Sequence, residues 1–503
     1  MRRRLPALVV ATALVVGAPG LAWAAWQAIG TGTAFARADA LPPGPTPTAT
    51  VTGRNVHLSW SAVSFGDGTP VAGYLVERYD TSGTPQGIGA SCSGTVTGLS
   101  CTETAVPPGT WRYGIRAVQG SWTGPEGTHS TAVTVGAPTF TWDSPAPISS
   151  LPATRTGTLT NFVTGEVVTF RLDDPSMGPI LVGSTTPTSI PGSGSAAASV
   201  TIPPGVTDGA HTVYAVGSSG ASVASAAITV DTTAPTVSGA TIQKGSGGIG
   251  GWIRQGGTYR VYANASDATS GVASVTADVS TITTGASAVA LAAGSWVVDG
   301  VTYGYRSALL TANATLSAGP KAFSVAATDG AGHSTTATGF TVTVDNTAPS
   351  GTNVQAVNGV GVAGRPDAGD VLTLTYGEPM EPESFIAGWT GASTTVTVRI
   401  VDNIGGRDWV QIWDASNTTQ LTAFGTVRLS TNTYVTSTVS FTGSTATISG
   451  GTVTITLGTP SGTTNTVGAG TMRWTTNAGA TDRAGNACTV ANLNEPGPSD
   501  ADF

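Results

Sequence analysis

Charge is scarce in this chain. Only 10% of its 503 residues are Asp, Glu, Lys or Arg, against about 25% in an ordinary soluble protein. What charge there is leans acidic, with 29 carboxylates against 21 Lys and Arg and a net charge of −8. Past Arg2, Arg3 and Arg4 there is no basic cluster. That argues against nucleic acid as a partner, because phosphate binding needs a basic surface. Histidine is rare too. His57, His129, His211 and His333 fall in different stretches, with no H-x-x-x-H or H-E spacing. Neither a zinc site nor a His-based triad can be assembled locally from them. No G-x-S-x-G stands at a strand-to-helix turn, and no helical period is evident. The glycine-rich stretch GSGGIGG at 245–251 is followed by no helix and no Lys, so it is not a phosphate loop.

Cysteine is nearly absent. Cys92 and Cys101 lie close together and Cys488 stands alone. In an exported chain the close pair reads as a disulfide. Closing so short a loop stabilises by about 2–3 kcal/mol in the chain-entropy model. Cys488 reads as a buried thiol, with an intermolecular link as the alternative. No His or Cys completes a metal set around any of the three.

Glycine and proline abound, at 68 and 30, and Thr and Ser crowd nearly every segment. The apolar 40% alternates with those polar residues instead of vanishing, so this is a packed β composition and not a disordered one. At the N-terminus, Arg2 to Arg4 precede an apolar run from Leu5 to Leu21 and then Ala22-Trp23-Ala24. That pattern predicts a signal peptide over 1–24 and a protein that works outside the cytoplasm, at the cell surface or in the medium. The alternative is an uncleaved anchor, since apolar character runs on through Trp26 and Ile29. Only in that case would a membrane be a partner, and Pro6 and Pro19 make the segment a poor membrane helix. Residues 25–45 form a linker that ends in the stiff Leu41-Pro42-Pro43-Gly44-Pro45.

One phrase occurs twice. ITVDTTAPTVSGATI starts at Ile228 and VTVDNTAPSGTNVQAV starts at Val342. Each is an alternating run, then Asp-[Thr/Asn]-Thr-Ala-Pro, then another alternating run. Pro235 and Pro349 forbid a regular strand interior and hold the preceding residue extended. A phrase of that kind, repeated about a domain length apart, marks the seam between tandem β-domains. The expected fold is all-β, a string of β-sandwiches joined by seams with few contacts.

Four modules can be read, and each resembles a known family. In 46–136, NVHLSW, GYLVERY, PPGTWRYGIRAV and STAVTV resemble a fibronectin type III domain. The resemblance implies a core anchor at Trp60 and a corner tyrosine at Tyr113. In 137–231, PPGVTDGAHTVYAVG resembles the late hairpin of bacterial Ig-like repeats. In 232–345, the phrases Asp267-x-x-Ser270-Gly271-Val272 and Asp329-Gly-Ala-Gly-His333 resemble the bacterial Ig-like repeats of cell-surface proteins. In 346–490, Gly369-Asp370, Glu378-Pro379-Met380-Glu381 and ATDRAGNA at 480–487 resemble the S-layer-type Ig-like domain. The interval between those motifs is long, which predicts an extra hairpin there. Residues 491–503 read as a polar tail. The resemblances imply a bacterial surface or extracellular protein, not an enzyme, that displays sandwich modules in a structural or adhesive role. The alternative is a carbohydrate-binding accessory protein acting on wall or environmental polysaccharide.

The strongest binding signal is DWVQIWD at 408–414. On a strand, Trp409, Gln411 and Trp413 share one face and Val410 and Ile412 the other. If Val and Ile face inward, the indoles form a platform for sugar rings, expected about 7 Å apart as same-face neighbours. Asp408 and Asp414 flank them and could take up hydroxyls. If the indoles face inward they are core. A second aromatic group, Trp296, Tyr303 and Tyr305, surrounds the turn Asp299-Gly300. The denser carboxylates, Asp173-Asp174 and Glu378/Glu381/Glu383, each touch a Pro. They read as turns and not as the pair of a glycosidase. No catalytic residues are therefore assigned, and no cofactor is expected apart from a weak case for calcium. Asp231, Asp267, Asp329 and Asp345 sit at seams or loop ends, where oxygen ligands for Ca²⁺ collect. Without a consensus loop, Asx-turn capping is the preferred reading for them and no metal ligand is assigned.

Overall fold

A computed structural model describes residues 39–182, 184 and 190–503. The expected signal peptide at 1–24 and the linker as far as residue 38 lie outside the described residues. Among the described residues there is no α-helix, only strands and three single-turn 3₁₀ segments. Period-two burial drives the fold. In Val371–Tyr376 (VLTLTY) every second residue is buried, and Val168–Leu172 (VTFRL) behaves alike. Strands of this kind present one apolar face each and must be stacked in pairs to bury it.

The chain divides into two units, one up to Thr232 and one from Thr233. The first holds two sandwiches. In the earlier one, Thr48–Thr52, Asn55–Ser59 and Ser100–Glu103 form one sheet. Pro85–Gln86, Gly73–Tyr79, Gly109–Gln119 and Trp122–Glu126 form the other, with Val133–Val135 also paired to Gly109–Gln119. In the later one, a sheet of Ala196–Ile202, Ala153–Thr160 and Thr139–Trp142 faces a sheet of Val168–Leu172, Gly209–Gly217 and Val223–Val230. Phe140, Leu159, Phe162 and Phe170 are buried in its core.

The second unit also holds two sandwiches, each with its own core. One runs from Thr236–Lys244 to Ser334–Val344, and the other from Gly351–Val357 to Asn492–Asn494. The long interval in the last sandwich contains the extra strands Trp409–Trp413 and Thr426–Arg428, paired to Thr394–Val401 and Arg473–Thr475 respectively. The segment read as a polar tail does not stay free of the fold. Asn492–Asn494 pairs with Arg473–Thr475, and Asp502 and Phe503 are buried.

The seams inside each unit differ from the sparse joints expected. In the first unit, the buried Arg54 donates from Nε to the Val106 carbonyl at 3.1 Å and from Nη1 to the Ala221 carbonyl of the next sandwich. Beside it Gly53, at φ +59°, meets Gly194 so closely that a Cβ on Gly53 would lie 2.7 Å from the Gly194 Cα. Only glycine permits both that φ and that approach. In the second unit, Lys244 of one sandwich is ion-paired to Glu381 of the next, and both are buried. Glu381 also accepts the Ile249 N–H at 3.0 Å, and Lys244 donates to the Arg483 carbonyl at 3.1 Å. The expectation of loose seams fails because the ends of these sandwiches carry charged groups that reach across and are satisfied by their neighbours.

Candidate functional site

The strand Trp409–Trp413 settles the orientation that alternation left open. Val410 and Ile412 are only 2% and 3% exposed, while Trp409, Gln411 and Trp413 are half-buried on the other face. Cross-strand partners explain why. Val410 stands opposite Val427 and Ile400, and Ile412 opposite Val398, all of them buried. The next partner of Val427 is Trp474, which is fully buried. The inner face is thus already an apolar layer, and the indoles take the outer one.

The outer face holds arginine as well as tryptophan. The Arg399 guanidinium lies 3.6 Å from the centre of the Trp413 ring, and the Arg428 guanidinium 5.6 Å from that of Trp409. Arg428 stands directly opposite Trp409, and Arg473 directly opposite Arg428, so the row continues onto a third strand. Asn417 anchors Arg399, accepting from Nε at 2.6 Å and from Nη2 at 2.7 Å. Nη1 is left open. A guanidinium stacked on a ring keeps its donors in its own plane, where a carboxylate or sulfate can take them two at a time. No Asp or Glu occupies a paired position on this face of the strands Thr394–Val401, Trp409–Trp413, Thr426–Arg428 and Arg473–Thr475. In a chain of net charge −8, that makes it a local basic surface.

Two details of the expected platform are corrected. Gln411 stands between the indoles, so they are four residues apart, about 13 Å along the strand and not 7 Å. The flanking carboxylates are not free for a ligand either. Asp408 is buried and accepts the Val435 N–H at 3.2 Å and the Asn403 N–H at 3.4 Å. Asp414 accepts the N–H groups of Thr418 and Thr419, which with the Thr418 hydroxyl hold its carboxyl down at about 2. Both carboxylates shape loops. The three arginines were missed from sequence, although VTVRIV, TVR and RWT each place Arg among inward apolar residues at period two, which points it outward.

The other candidates fall elsewhere. Trp60 is buried and meets Tyr74 edge-on at 5.6 Å. Tyr113 is fully buried, and its hydroxyl donates to Glu103 Oε2 at 2.8 Å, while Glu103 Oε1 receives Arg78 at 2.7 Å. Cys92 and Cys101 are joined by a disulfide, with Cα atoms 5.5 Å apart, and Cys488 is a buried free thiol. Tyr303 is buried against Tyr262, and Trp296 is covered by Arg306 at 4.6 Å. Asp267 Oδ1 accepts the N–H groups of Thr269, Ser270 and Gly271, and Asp329 Oδ1 those of Ala331 and His333. Asp345 accepts from Thr347 N–H at 2.9 Å, and Asp231 is buried. Asp174 Oδ1 accepts from Ser176 and Met177, and Asp173 binds His211 and the Thr212 N–H. Asp345, Glu378 and Asp482 gather with carboxylate oxygens within 4.8 Å of one another. Burial, with Asp345 and Asp482 as neighbours, pushes Glu378 up to about 7.

No protein-family model matches the chain, and no curated protein matches it. Among solved structures, a tetra-tandem repeat from the extending region of a large adhesion protein is 16% identical. It covers 91% of this chain and all of that one, at a TM-score of 0.19. The FN1–FN3 domains of chicken CNTN1 are 12% identical over 60% of this chain and 98% of that one, at a TM-score of 0.20. Immunoglobulin domains 1–5 of Sidekick-1 are 11% identical over 88% of this chain and 76% of that one, at 0.26. All three are strings of domains, and TM-scores this low carry no argument about function.

Proposed function

We propose that this chain is a non-enzymatic display protein of a bacterial cell surface or extracellular medium, with an adhesive role carried by its last sandwich. The observation that carries the reading is the outward row of Trp409, Trp413, Arg399, Arg428 and Arg473 on a sheet whose inner face is complete without them. Large aromatic and arginine side chains left outside a finished core are the residues that anchor binding partners. The Cys92–Cys101 disulfide supports an oxidising compartment, in line with the leader at 1–24. The satisfied seams supply stiffness within each unit.

A second reading makes the partner a polysaccharide, and the arginines favour an acidic one. Sugar CH faces stack on indole, and uronate or sulfate groups meet guanidinium forks. One face of each indole is already covered by arginine, so the charged group and the ring are read together. The test is an array of neutral and acidic glycans probed with the full-length protein, Trp409→Ala and Arg428→Gln. Acidic glycans should be retained in a salt-dependent way. Both variants should lose them about tenfold or more while keeping the wild-type circular dichroism spectrum. An array without acidic hits ends the polysaccharide reading and leaves a protein partner for the display role. Equal retention by both variants removes the Trp–Arg row from either.

A further inference from the structure

Glu495, Asp500 and Asp502 each place a carboxylate oxygen within 4.8 Å of the other two. Glu495 is 7% exposed and Asp502 not at all. One oxygen of each is satisfied. Glu495 Oε2 accepts the Met472 N–H at 3.1 Å, and Asp502 Oδ2 accepts the Tyr434 hydroxyl at 3.1 Å. The other oxygens, Glu495 Oε1 and Asp502 Oδ1, are buried, and among the described residues no N–H or hydroxyl donates to them. Among the described residues the Asp500 carboxylate receives only Gln355 Nε2, at 3.3 Å. Among the described residues no Lys, Arg or His forms an ion pair with any of the three. Acidic clusters on a surface need no ligand, because water solvates them. Here two buried carboxyls close on one another, and among the described residues no third group donates to the oxygens left over. Buried polar atoms are paired as a rule, and an orphan marks a missing ion, water or proton.

The geometry selects among cations. The donor set is oxygen only, which suits a hard ion and not zinc or copper. Two oxygens sharing one calcium ion stand at most about 4.6–5.2 Å apart, twice the Ca–O distance of about 2.3–2.6 Å. For magnesium that limit falls to about 4.0–4.2 Å, within a strict octahedron. All three oxygens lie within 4.8 Å of one another, inside the calcium limit. Calcium also tolerates the irregular and partly hydrated set that one exposed and two buried carboxylates provide.

We propose that Glu495, Asp500 and Asp502 form a calcium site that fastens segment 495–503 to the last sandwich. That segment touches three separate loops. Asp502 reaches Tyr434, the Asp500 carbonyl accepts the Gly470 N–H at 2.8 Å, and the Phe503 carbonyl accepts the Gly364 N–H at 2.6 Å. Without the ion, three carboxylates repel within the segment that must close over them. With it, the orphan oxygens become ligands and the segment becomes the cover of its own site. The site lies apart from the Trp–Arg row and is independent of what that row binds.

The test uses full-length protein freed of metal, titrated with calcium alone or magnesium alone at neutral pH, and read by calorimetric melting and isothermal titration. Calcium should raise the melting temperature of the last sandwich and saturate, with magnesium weaker. The neutralised variant Glu495→Gln/Asp502→Asn should melt in chelator at or above the wild-type temperature, since the repulsion is gone, yet gain nothing from calcium. Asp500→Asn, at the exposed position, should fold and bind more weakly, which keeps the test readable if the double variant does not fold. Three results would overturn the proposal. The first is no wild-type response up to about 10 mM calcium, beyond the weak end of extracellular sites. The second is a full response retained by the variants, which would place the ion elsewhere. The third is a melting temperature raised by acid but not by calcium, which would mean that a shared proton satisfies the pair.

Discussion

Replacing Lys244 by Met should show whether the two sandwiches of the second unit act as one body. Lys244 is 8% exposed and Glu381 2%. The lysine ammonium serves Glu381 and the Arg483 carbonyl, and the carboxylate also holds the Ile249 N–H. Lys244→Met keeps the length and apolar stem but strands a buried carboxylate with backbone N–H groups alone. Breaking a buried pair from one side costs about 3–5 kcal/mol, mostly for the charge left behind. Lys244→Met/Glu381→Leu removes both charges and should recover most of that loss, because apolar replacements of buried pairs are often neutral. The signature is therefore a coupling energy of about 2 kcal/mol or more in a double-mutant cycle. Calorimetry of the full chain supplies the energies, and hydrogen exchange around residues 244 and 381 assigns them to the second unit. The single variant should also split one cooperative transition into two, since the bridge is a buried polar tie between the sandwiches. Additive single-variant effects, with coupling below about 0.5 kcal/mol and transitions unchanged, would refute the argument.

Trp60→Ala should destabilise the first sandwich by about 3–5 kcal/mol, the usual cost of a buried aromatic, as read from tryptophan fluorescence during urea unfolding. Arg54 reaches from that sandwich to the Ala221 carbonyl, so the second sandwich should lose stability too. An effect confined to the first would show that this seam transmits nothing. Glu378 gives a pH signature. Burial beside Asp345 and Asp482 raises it to about 7 in the folded chain, above an unfolded value of about 4.3. The folded state therefore binds this proton more tightly, and its stability rises as pH falls from above 7 towards 4.3. Glu378→Gln should be more stable than wild type at pH 8, with the difference shrinking as acid is added, in paired thermal melts. A difference that grows on acidification would reverse the sign of the argument.

Legibility followed the contrast between neighbouring residues. In RWT, Trp474 alternates with Arg473 and Thr475, so its inward direction can be read directly, and it is fully buried. In WVQIW both faces carry large apolar groups, and periodicity alone cannot choose. The choice is made by Val427, Val398 and Ile400 across the ladder, whose pairing sequence separation hides. The seams were hidden for the same reason, since Lys244 and Glu381 are 137 residues apart. Asp267 and Asp329 could be read locally as turn caps because the N–H groups that donate to them lie within four residues. Segment 491–503 misled for a different reason. Its Pro, Ser and Asp content describes a solvated tail, while its burial depends on Tyr434, Gly364 and Gly470, which only the closed sandwich brings together.

These cases share one physical thread, which starts from the poverty in charge. Glu103 with Arg78, Arg54, Lys244 with Glu381, and Asp502 with Glu495 are all buried. Ordinary domains leave such groups on the surface, because desolvating a charge is costly unless partners meet it. Here the solvated surface is built largely from Thr, Ser and Gly, and several of the few charges sit where one structural element must recognise another. Arg78 and Glu103 join the two sheets of the first sandwich, Arg54 its seam, and Lys244 and Glu381 the seam of the second unit. Each is matched by a specific partner and cannot be satisfied by an alternative register. Glu495 and Asp502 are a buried pair that no Lys, Arg or His meets among the described residues.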